Sequence, residues 1–297
     1  MKRMVEELLL GDNPFIGVSH LTQEKAREES GEALLGNKIA VFEAAVNGGA
    51  TGFTFSTHES NLELLTYLSV HRKDLLEAMN YYILCPYVQS YVRRANIGGT
   101  PRLLRSTLAG MLRTGSVISD TLAALVSMKP ERLAGLFINA EIAPYLDVLP
   151  RERVKAVLLH EIITDCLVAF DLIDLLKSLG NYVRKTMRYG FGLHTKNFGY
   201  FHRLEVLTGI CPEYIMTSIN PLGYMMAPSR QDVEKSLDHF GKESKVIAIN
   251  ILASGAVDLD EALKYICRHK DRIYAVTTAS TKPHRILENF QRLSMCL

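Results

Sequence analysis

Four of the nine histidines lie at the end of short apolar segments or beyond them: His20, His58, His160 and His194. Histidine is the side chain best suited to proton transfer near neutral pH, and it is also a common metal ligand. His160 closes the run Val-Leu-Leu-His, which makes it the first candidate for catalysis, with His58 as the second. Each also has a structural alternative, as a core histidine, a helix-entry residue or a loop-shaping residue.

The same histidines raise the question of a metal site. Neutral imidazoles that converge suit zinc or another divalent ion. However, the sequence has no H-x-H or H-E-x-x-H spacing, and Glu161 directly follows His160, so the two would point to opposite faces of a strand. We assign no metal ligands, and a metal-dependent lyase or hydrolase that uses the four histidines stays open as an alternative function.

The C-terminal segment TTASTKPHRILENF, residues 277–290, carries a second chemical signal. An apolar run ends in hydroxyl residues, and Pro283 is typical of the first position of a helix. The free N–H groups of a first helical turn attract anions, Ser280 adds a donor, and Arg285 could clamp a phosphate. Glu288 and Asn289 could bond to the edge of an adenine. A normally capped helix with a solvated arginine explains the pattern equally well.

These residues depend on a regular alternation of strands and helices along the chain. Short apolar runs between helical patterns are typical of parallel strands that are covered on both faces. No G-x-G-x-x-G follows the first run, which disfavours an open dinucleotide-binding sheet. The sequence therefore predicts one TIM-type (β/α)8 barrel over residues 1–297, with its site at the C-terminal ends of the strands. The predicted strands are Glu7–Leu10, Gly52–Ser56, Tyr82–Cys85, Val157–His160, Arg188–Leu193, Tyr214–Thr217, Val246–Asn250 and Tyr274–Thr277.

The least regular part of the sequence is Arg93–Arg153, which we interpret as an insertion between the third and fourth strands. Its strand-like run Leu133–Ile138 could be a ninth strand, but we treat it as part of the insertion. The insertion could cover the barrel mouth as a lid, or it could be a helical excursion without a role in binding. A basic cluster within it could bind an anion, or it could be solvated; it comprises Arg93, Arg94, Arg102 and Arg105.

Composition limits the partners and the compartment. The net charge of +2 gives no reason to expect nucleic acid or an anionic membrane as a partner. The five cysteines form no C-x-x-C pair and suggest reduced, mostly buried thiols. No signal peptide and no membrane-spanning stretch is recognisable. We predict a cytoplasmic protein that acts on a small molecule, and the oligomeric state is left open.

The C-terminal motif resembles the cofactor-binding end of the aldo-keto reductases, in which a Ser-containing loop precedes Pro-x-Arg-Ile-x-Glu-Asn. The resemblance implies NADP(H), with Arg285 at the adenosine 2′-phosphate and Glu288 and Asn289 at the adenine, beside Ser280. The family often has Lys where this chain has Ala279. Looser similarities imply three further cofactor contacts: Leu252 in the segment Val246–Gly255, and His194 and Thr195 in the segment Phe191–Asn197. They also imply that His160, after Leu158-Leu159, is the catalytic histidine.

The departures from this family concern its proton-donating Asp, Tyr and Lys. Ser56 stands where the Asp is expected, Asn61 where the Tyr is expected, and Cys85-Pro86 where the Lys is expected. The resemblance thus implies an oxidoreductase-like protein with a non-standard proton donor, which we assign to His160 with His58. Tyr87 or Tyr91 could replace the missing tyrosine. A non-catalytic nucleotide-binding protein is the third alternative.

Overall fold

The computed structural model describes residues 5–16, 34–88, 91, 130–201, 212–240 and 243–297. Eight parallel strands pair in sequence order, and β8 pairs with β1, so the sheet closes into a barrel. This confirms the predicted TIM-type fold. The strands are β1 Glu7–Gly11, β2 Gly52–Ser56, β3 Asn80–Cys85, β4 Val154–Leu159, β5 Gly190–His194, β6 Tyr214–Ser218, β7 Lys245–Ile249 and β8 Ala275–Thr278.

Helices alternate with these strands and surround the barrel. Side-chain caps begin two of them: Asp258 accepts the N–H of Glu261 at 2.8 Å, and Ser229 Oγ accepts the N–H of Asp232 at 3.1 Å. Within the described residues the α-helices are α1 Leu35–Gly48, α2 Glu59–His71, α3 Lys73–Ala78, α4 Pro130–Leu146, α5 Glu161–Ala169, α6 Ile173–Asn181, α7 Arg230–Phe240, α8 Leu259–His269 and α9 Pro283–Cys296. None of these helices is long and apolar enough to cross a membrane.

Side chains alternate between the two sides of the barrel wall, as they must along a strand. On β2, Phe53 and Phe55 face outward and belong to the core between barrel and helices, so Ser56 faces the barrel axis. On β5, Phe191 and Leu193 face outward in the same way, which turns His194 inward. The inward-facing apolar residues form a separate cluster with Leu9, Tyr82, Ala156, Leu158, Tyr214, Met216, Ile247, Tyr274 and Ala275.

The end of the barrel where the strands begin is filled by three tyrosines. The ring of Tyr214 lies edge-on to Tyr82 and Tyr274, with centroid distances of 5.6 Å and 5.9 Å, and the hydroxyls of Tyr82 and Tyr274 are 3.2 Å apart. Glu7 Oε1 accepts hydrogen bonds from Asn80 Nδ2 at 2.9 Å and from Tyr274 at 3.2 Å. This end is therefore a packed plug, and an active site must lie at the opposite end.

The structure corrects one expectation, decides one alternative and leaves others outside its described residues. The run Leu133–Ile138 lies inside α4 and is not a ninth strand; Ile138 packs in the core between barrel and helices, whereas Leu133, Leu136 and Phe137 belong to a separate cluster. Cys166 and Cys296 are exposed, so the expectation of mostly buried cysteines is wrong for these two, although Cys85 is buried. Residues 93–129 of the predicted insertion lie outside the described residues, together with the basic cluster of Arg93, Arg94, Arg102 and Arg105, and so does His20.

Candidate active site at the barrel mouth

His160 directly follows β4 at the mouth of the barrel. Its backbone N–H still bonds to Cys85 O, and its Nδ1 accepts the N–H of Ile162 at 3.4 Å, so it is the N-cap of α5. Burial lowers the pKa of His160, although the charges of Glu161 and Asp12 act in the opposite direction. The ring is therefore neutral near neutral pH, with its proton on Nε2. A neutral N–H of this kind can donate a hydrogen bond to a carbonyl oxygen.

His194, the last residue of β5, lies beside His160. The two ring centroids are 6.0 Å apart, and His194 is 7% exposed. Its Nε2 lies 3.1 Å from Glu161 Oε2, and the other carboxylate oxygen lies 2.6 Å from Lys196 Nζ. Burial lowers the pKa of His194 to about 4, so Nε2 holds the proton and Nδ1 is a bare acceptor. Among the described residues, Nδ1 has no hydrogen-bond partner.

A carboxylate that sequence reasoning did not single out lies between β1 and β2. Asp12 Oδ2 accepts hydrogen bonds from Ser56 N at 2.8 Å, Ser56 Oγ at 2.7 Å and Asn61 Nδ2 at 2.7 Å. Ser56 and Asn61 are the residues at the positions where the family resemblance expects Asp and Tyr. The barrel thus has a carboxylate in this region, but it comes from the end of β1 and not from β2.

His58 follows β2 and caps α2 through its Nδ1, which accepts the N–H of Ser60 at 3.1 Å. Its ring lies edge-on to Tyr87, with centroids 5.1 Å apart, and its backbone oxygen accepts the hydroxyl of Tyr145 at 3.0 Å. These contacts give His58 a structural role at the rim. Its role in catalysis stays a prediction.

Tyr91, considered above as a replacement for the family tyrosine, is bonded through its hydroxyl to Glu141 of α4. The other oxygen of Glu141 accepts the hydroxyl of Thr57 at 2.8 Å, and Thr57 Oγ1 accepts the N–H of Tyr87 at 3.1 Å. A carboxylate that accepts a hydrogen bond from a phenol favours the protonated form of that phenol. The arrangement therefore ties α4 to the rim and does not activate Tyr91 as an acid.

The junction between β8 and α9 contains the predicted phosphate site. Ser280 Oγ accepts the N–H of Lys282 at 3.1 Å, and Pro283 begins the helix as predicted. Arg285 is exposed in the first turn, and no described residue forms a hydrogen bond or an ion pair with it. Glu288 is also exposed, 3.9 Å from Arg292. Asn289 is buried and donates to Thr278 Oγ1 at 3.5 Å, so it positions the helix on the strand.

Two further predicted cofactor contacts lie in loops at the same end of the barrel. Thr195 is fully buried, and its hydroxyl donates to Asp165 at 2.5 Å, so it holds the loop after β5. Leu252 is partly buried in the loop after β7, where Asn250, Ala253 and Ser254 all have positive φ values. Non-glycine residues adopt this conformation at a cost, and such residues cluster at functional sites.

Of the four histidines in the metal alternative, His20 lies outside the described residues, and the other three form no metal site there. His160 and His194 come together, but the described part of the chain contains no group of three His, Cys, Asp or Glu side chains placed to hold a metal ion. Of the four nitrogens in these two rings, one caps a helix and another is bonded to Glu161. The two that remain are too few ligands for a structural or catalytic zinc ion. We do not propose a metal-dependent reaction.

Comparisons with known proteins agree on the fold. No family model matches the sequence, and no curated protein matches it. A protein from Pseudomonas aeruginosa assigned to the aldo-keto reductases is 12% identical, with a TM-score of 0.53 over 98% of this chain and 90% of its own. An aldo-keto reductase from Bombyx mori, solved in complex with NADP, is 11% identical, with a TM-score of 0.51 over 98% and 84%.

A third similar structure is an aldo-keto reductase from a Medee basin deep-sea metagenome library. It is 12% identical, with a TM-score of 0.51 over 88% of this chain and 82% of its own. At these identities the similarity establishes the architecture of the barrel, and it confirms the resemblance in fold. It assigns no residue role, because function depends on the site and not on the scaffold.

Proposed function

We propose that this protein is an NADP(H)-dependent oxidoreductase that interconverts a small carbonyl compound and its alcohol. The observation that carries the proposal is Arg285, an exposed cation without a described partner in the first turn of α9, at the mouth of an aldo-keto reductase-like barrel. A guanidinium beside free helical N–H groups favours a phosphate ester. Two of the similar structures, including the one from Bombyx mori, are complexes with NADP or NADPH.

The residues at the junction fit this cofactor in part. Ser280 is half-buried, Arg285 and Glu288 are exposed, and all three can meet a nucleotide. Asn289 fits less well, because its amide is buried against Thr278. The bound cofactor would supply the hydride, and His194 and Thr195 lie at the strand end where the family resemblance expects the nicotinamide amide. Leu252 belongs to the loop where that resemblance expects a further cofactor contact.

The chain's own contribution to the reaction is polarisation of the substrate oxygen. His160 Nε2 carries a proton, since Nδ1 accepts a backbone N–H. A hydrogen bond from Nε2 to the carbonyl oxygen stabilises the negative charge that develops on it when the carbon is reduced. This role replaces the missing tyrosine, and His58 at the rim is the second candidate for the same role.

The test is a calorimetric titration of NADP⁺ and NAD⁺ into the wild type, Arg285→Ala and the control Arg268→Ala. Arg268 is exposed on α8 and lies outside the proposed site. A charge-assisted contact contributes about 1.5–3 kcal/mol, so we expect Arg285→Ala to weaken NADP⁺ binding roughly tenfold to 100-fold and NAD⁺ binding far less. If the wild type binds neither nucleotide, the proposal is wrong.

A second candidate function is nucleotide binding without catalysis. It is favoured by the replacement of the family's Asp, Tyr and Lys with Ser56, Asn61 and Cys85-Pro86. Turnover separates the two candidates: an oxidoreductase oxidises NADPH in the presence of some member of an aldehyde and ketone panel. A protein that binds NADP⁺ tightly and transfers no hydride to the whole panel fits the second candidate.

A further inference from the structure

Asp12 presents one oxygen in a fixed position at the barrel mouth. Three donors from Ser56 and Asn61 saturate Oδ2 and hold the carboxylate in one orientation. No described residue bonds to Oδ1, and Oδ1 is not among the buried unpaired atoms, so it has surface accessible to solvent. A carboxylate that is held by one oxygen and open at the other has the geometry of a general base.

Asp12 directly follows β1 and His160 directly follows β4, so both groups lie at the same end of the closed parallel barrel. His160 is fixed as a neutral hydrogen-bond donor, since its Nδ1 caps α5 and its Nε2 is left for a ligand. The positive end of the helix and the burial of the ring both disfavour the imidazolium. A carboxylate base paired with a neutral imidazole donor can remove a proton from the carbon next to a carbonyl group.

We propose that this mouth also enolises small α-hydroxy aldehydes and ketones, without a nicotinamide. Asp12 Oδ1 takes the proton from the carbon next to the carbonyl, and the C–H electron pair becomes the C=C bond of the enediolate. The carbonyl π pair moves to the oxygen, where His160 Nε2–H stabilises the charge. Return of the proton to carbon restores the carbonyl, so no oxidant or reductant is consumed.

The preference for an α-hydroxyl comes from His194. Its Nδ1 is a buried acceptor without a described partner, and Glu161 fixes this tautomer by accepting the proton on Nε2. A buried acceptor favours a ligand that supplies a donor and disfavours one that does not.

The experiment follows hydrogen–deuterium exchange at carbon in glycolaldehyde and dihydroxyacetone by NMR in D2O, with nicotinamide absent. We expect the wild type to accelerate exchange over buffer and Asp12→Asn to lower that rate at least about 100-fold, as expected for loss of a general base. Asparagine keeps an oxygen for the donors of Ser56 and Asn61. The control is Asp165→Asn, at a carboxylate whose two oxygens are already bonded by Thr195 and Lys196.

Thermal unfolding of each variant shows whether Asp12→Asn has folded. If it has not, His160→Ala takes its place, and its exchange should also fall at least about tenfold. Arg268→Ala, at an exposed residue of α8, should exchange at the wild-type rate. Because nicotinamide is absent from the assay, a failure of nucleotide binding does not affect this test. The proposal is wrong if the folded wild type does not accelerate exchange with either probe. It is also wrong if folded Asp12→Asn exchanges like the wild type. Where Asp12→Asn does not fold, wild-type exchange by folded His160→Ala has the same meaning.

Discussion

The two ends of the barrel each contain a carboxylate from β1 or its end, but they use it differently. Glu7 lies among Tyr82, Tyr274 and Asn80, where rings close the barrel and leave no room for a ligand. Asp12, five positions later, is held by backbone and side-chain donors and keeps one oxygen accessible. The same strand thus supplies a packed end that stabilises the fold and an open end that can carry out chemistry.

Tyr82→Ala should break the plug and give the largest loss of stability. Tyr82 is fully buried in the barrel interior, and removal of a large aromatic side chain from a core costs about 3–5 kcal/mol in the free energy of unfolding. Denaturant unfolding measures the loss. Tyr82→Phe removes only the hydroxyl that meets Tyr274, so it should cost about 1 kcal/mol. Equal losses for the two variants would contradict the packing role of the ring.

The sequence predicted the strands well, for a physical reason. A strand that is covered on both faces must be apolar along its length, so runs such as Gly52–Ser56 are visible without knowledge of their partners. The strand boundaries shifted by at most three residues, as for β4, which begins at Val154 and not at Val157. The run Leu133–Ile138 was ambiguous because a short apolar run fits a helix as well as a strand.

The site was harder to predict, because it depends on contacts between distant residues. His160 and His194 were found from their positions at strand ends. Asp12 was missed, since its role rests on Ser56 and Asn61, which lie 44 and 49 positions away in the sequence. The available signal was that Asp12 is the first polar residue after β1. Asn289 shows the opposite case, in which a residue of a recognised motif is buried against Thr278.

His194 should make the mouth sensitive to acid. Its pKa is lowered from 6.5 to about 4, so between these values the unfolded chain binds a proton that the folded protein does not. The contribution of neutral His194 to stability is therefore complete above pH 6.5. It is lost as the pH falls toward 4, by up to about 3 kcal/mol.

The measurement is the free energy of unfolding over this pH range for the wild type, His194→Gln and His71→Gln. His194→Gln should remove most of the loss on acidification, whereas His71, an exposed residue at the end of α2, serves as the control. An unchanged pH dependence in His194→Gln would show that the imidazole is not buried as a neutral ring. That result would also remove the bare acceptor on which the preference for an α-hydroxyl rests.

Glu7 should give the opposite dependence at the other end of the barrel, with a smaller effect. Burial raises the pKa of Glu7 above 4.5, although hydrogen bonds from Tyr274 and Asn80 act against this shift. In the pH interval above 4.5, Glu7 binds more protons in the folded protein than in the unfolded chain. The contribution of protonated Glu7 to stability is therefore present at low pH and is lost as the pH rises.

Glu7→Gln removes this ionisation, so the stability of the wild type relative to the variant should fall as the pH rises above 4.5. This fall is measured by denaturant unfolding at a series of pH values. Glu6→Gln is the control, since Glu6 is the exposed neighbour of Glu7. A wild type that gains stability relative to Glu7→Gln over this range would mean that the tyrosine plug stabilises the carboxylate. The contrast between a closed end in which burial disfavours the ionised carboxylate and an open end in which a carboxylate acts as a base would then be wrong.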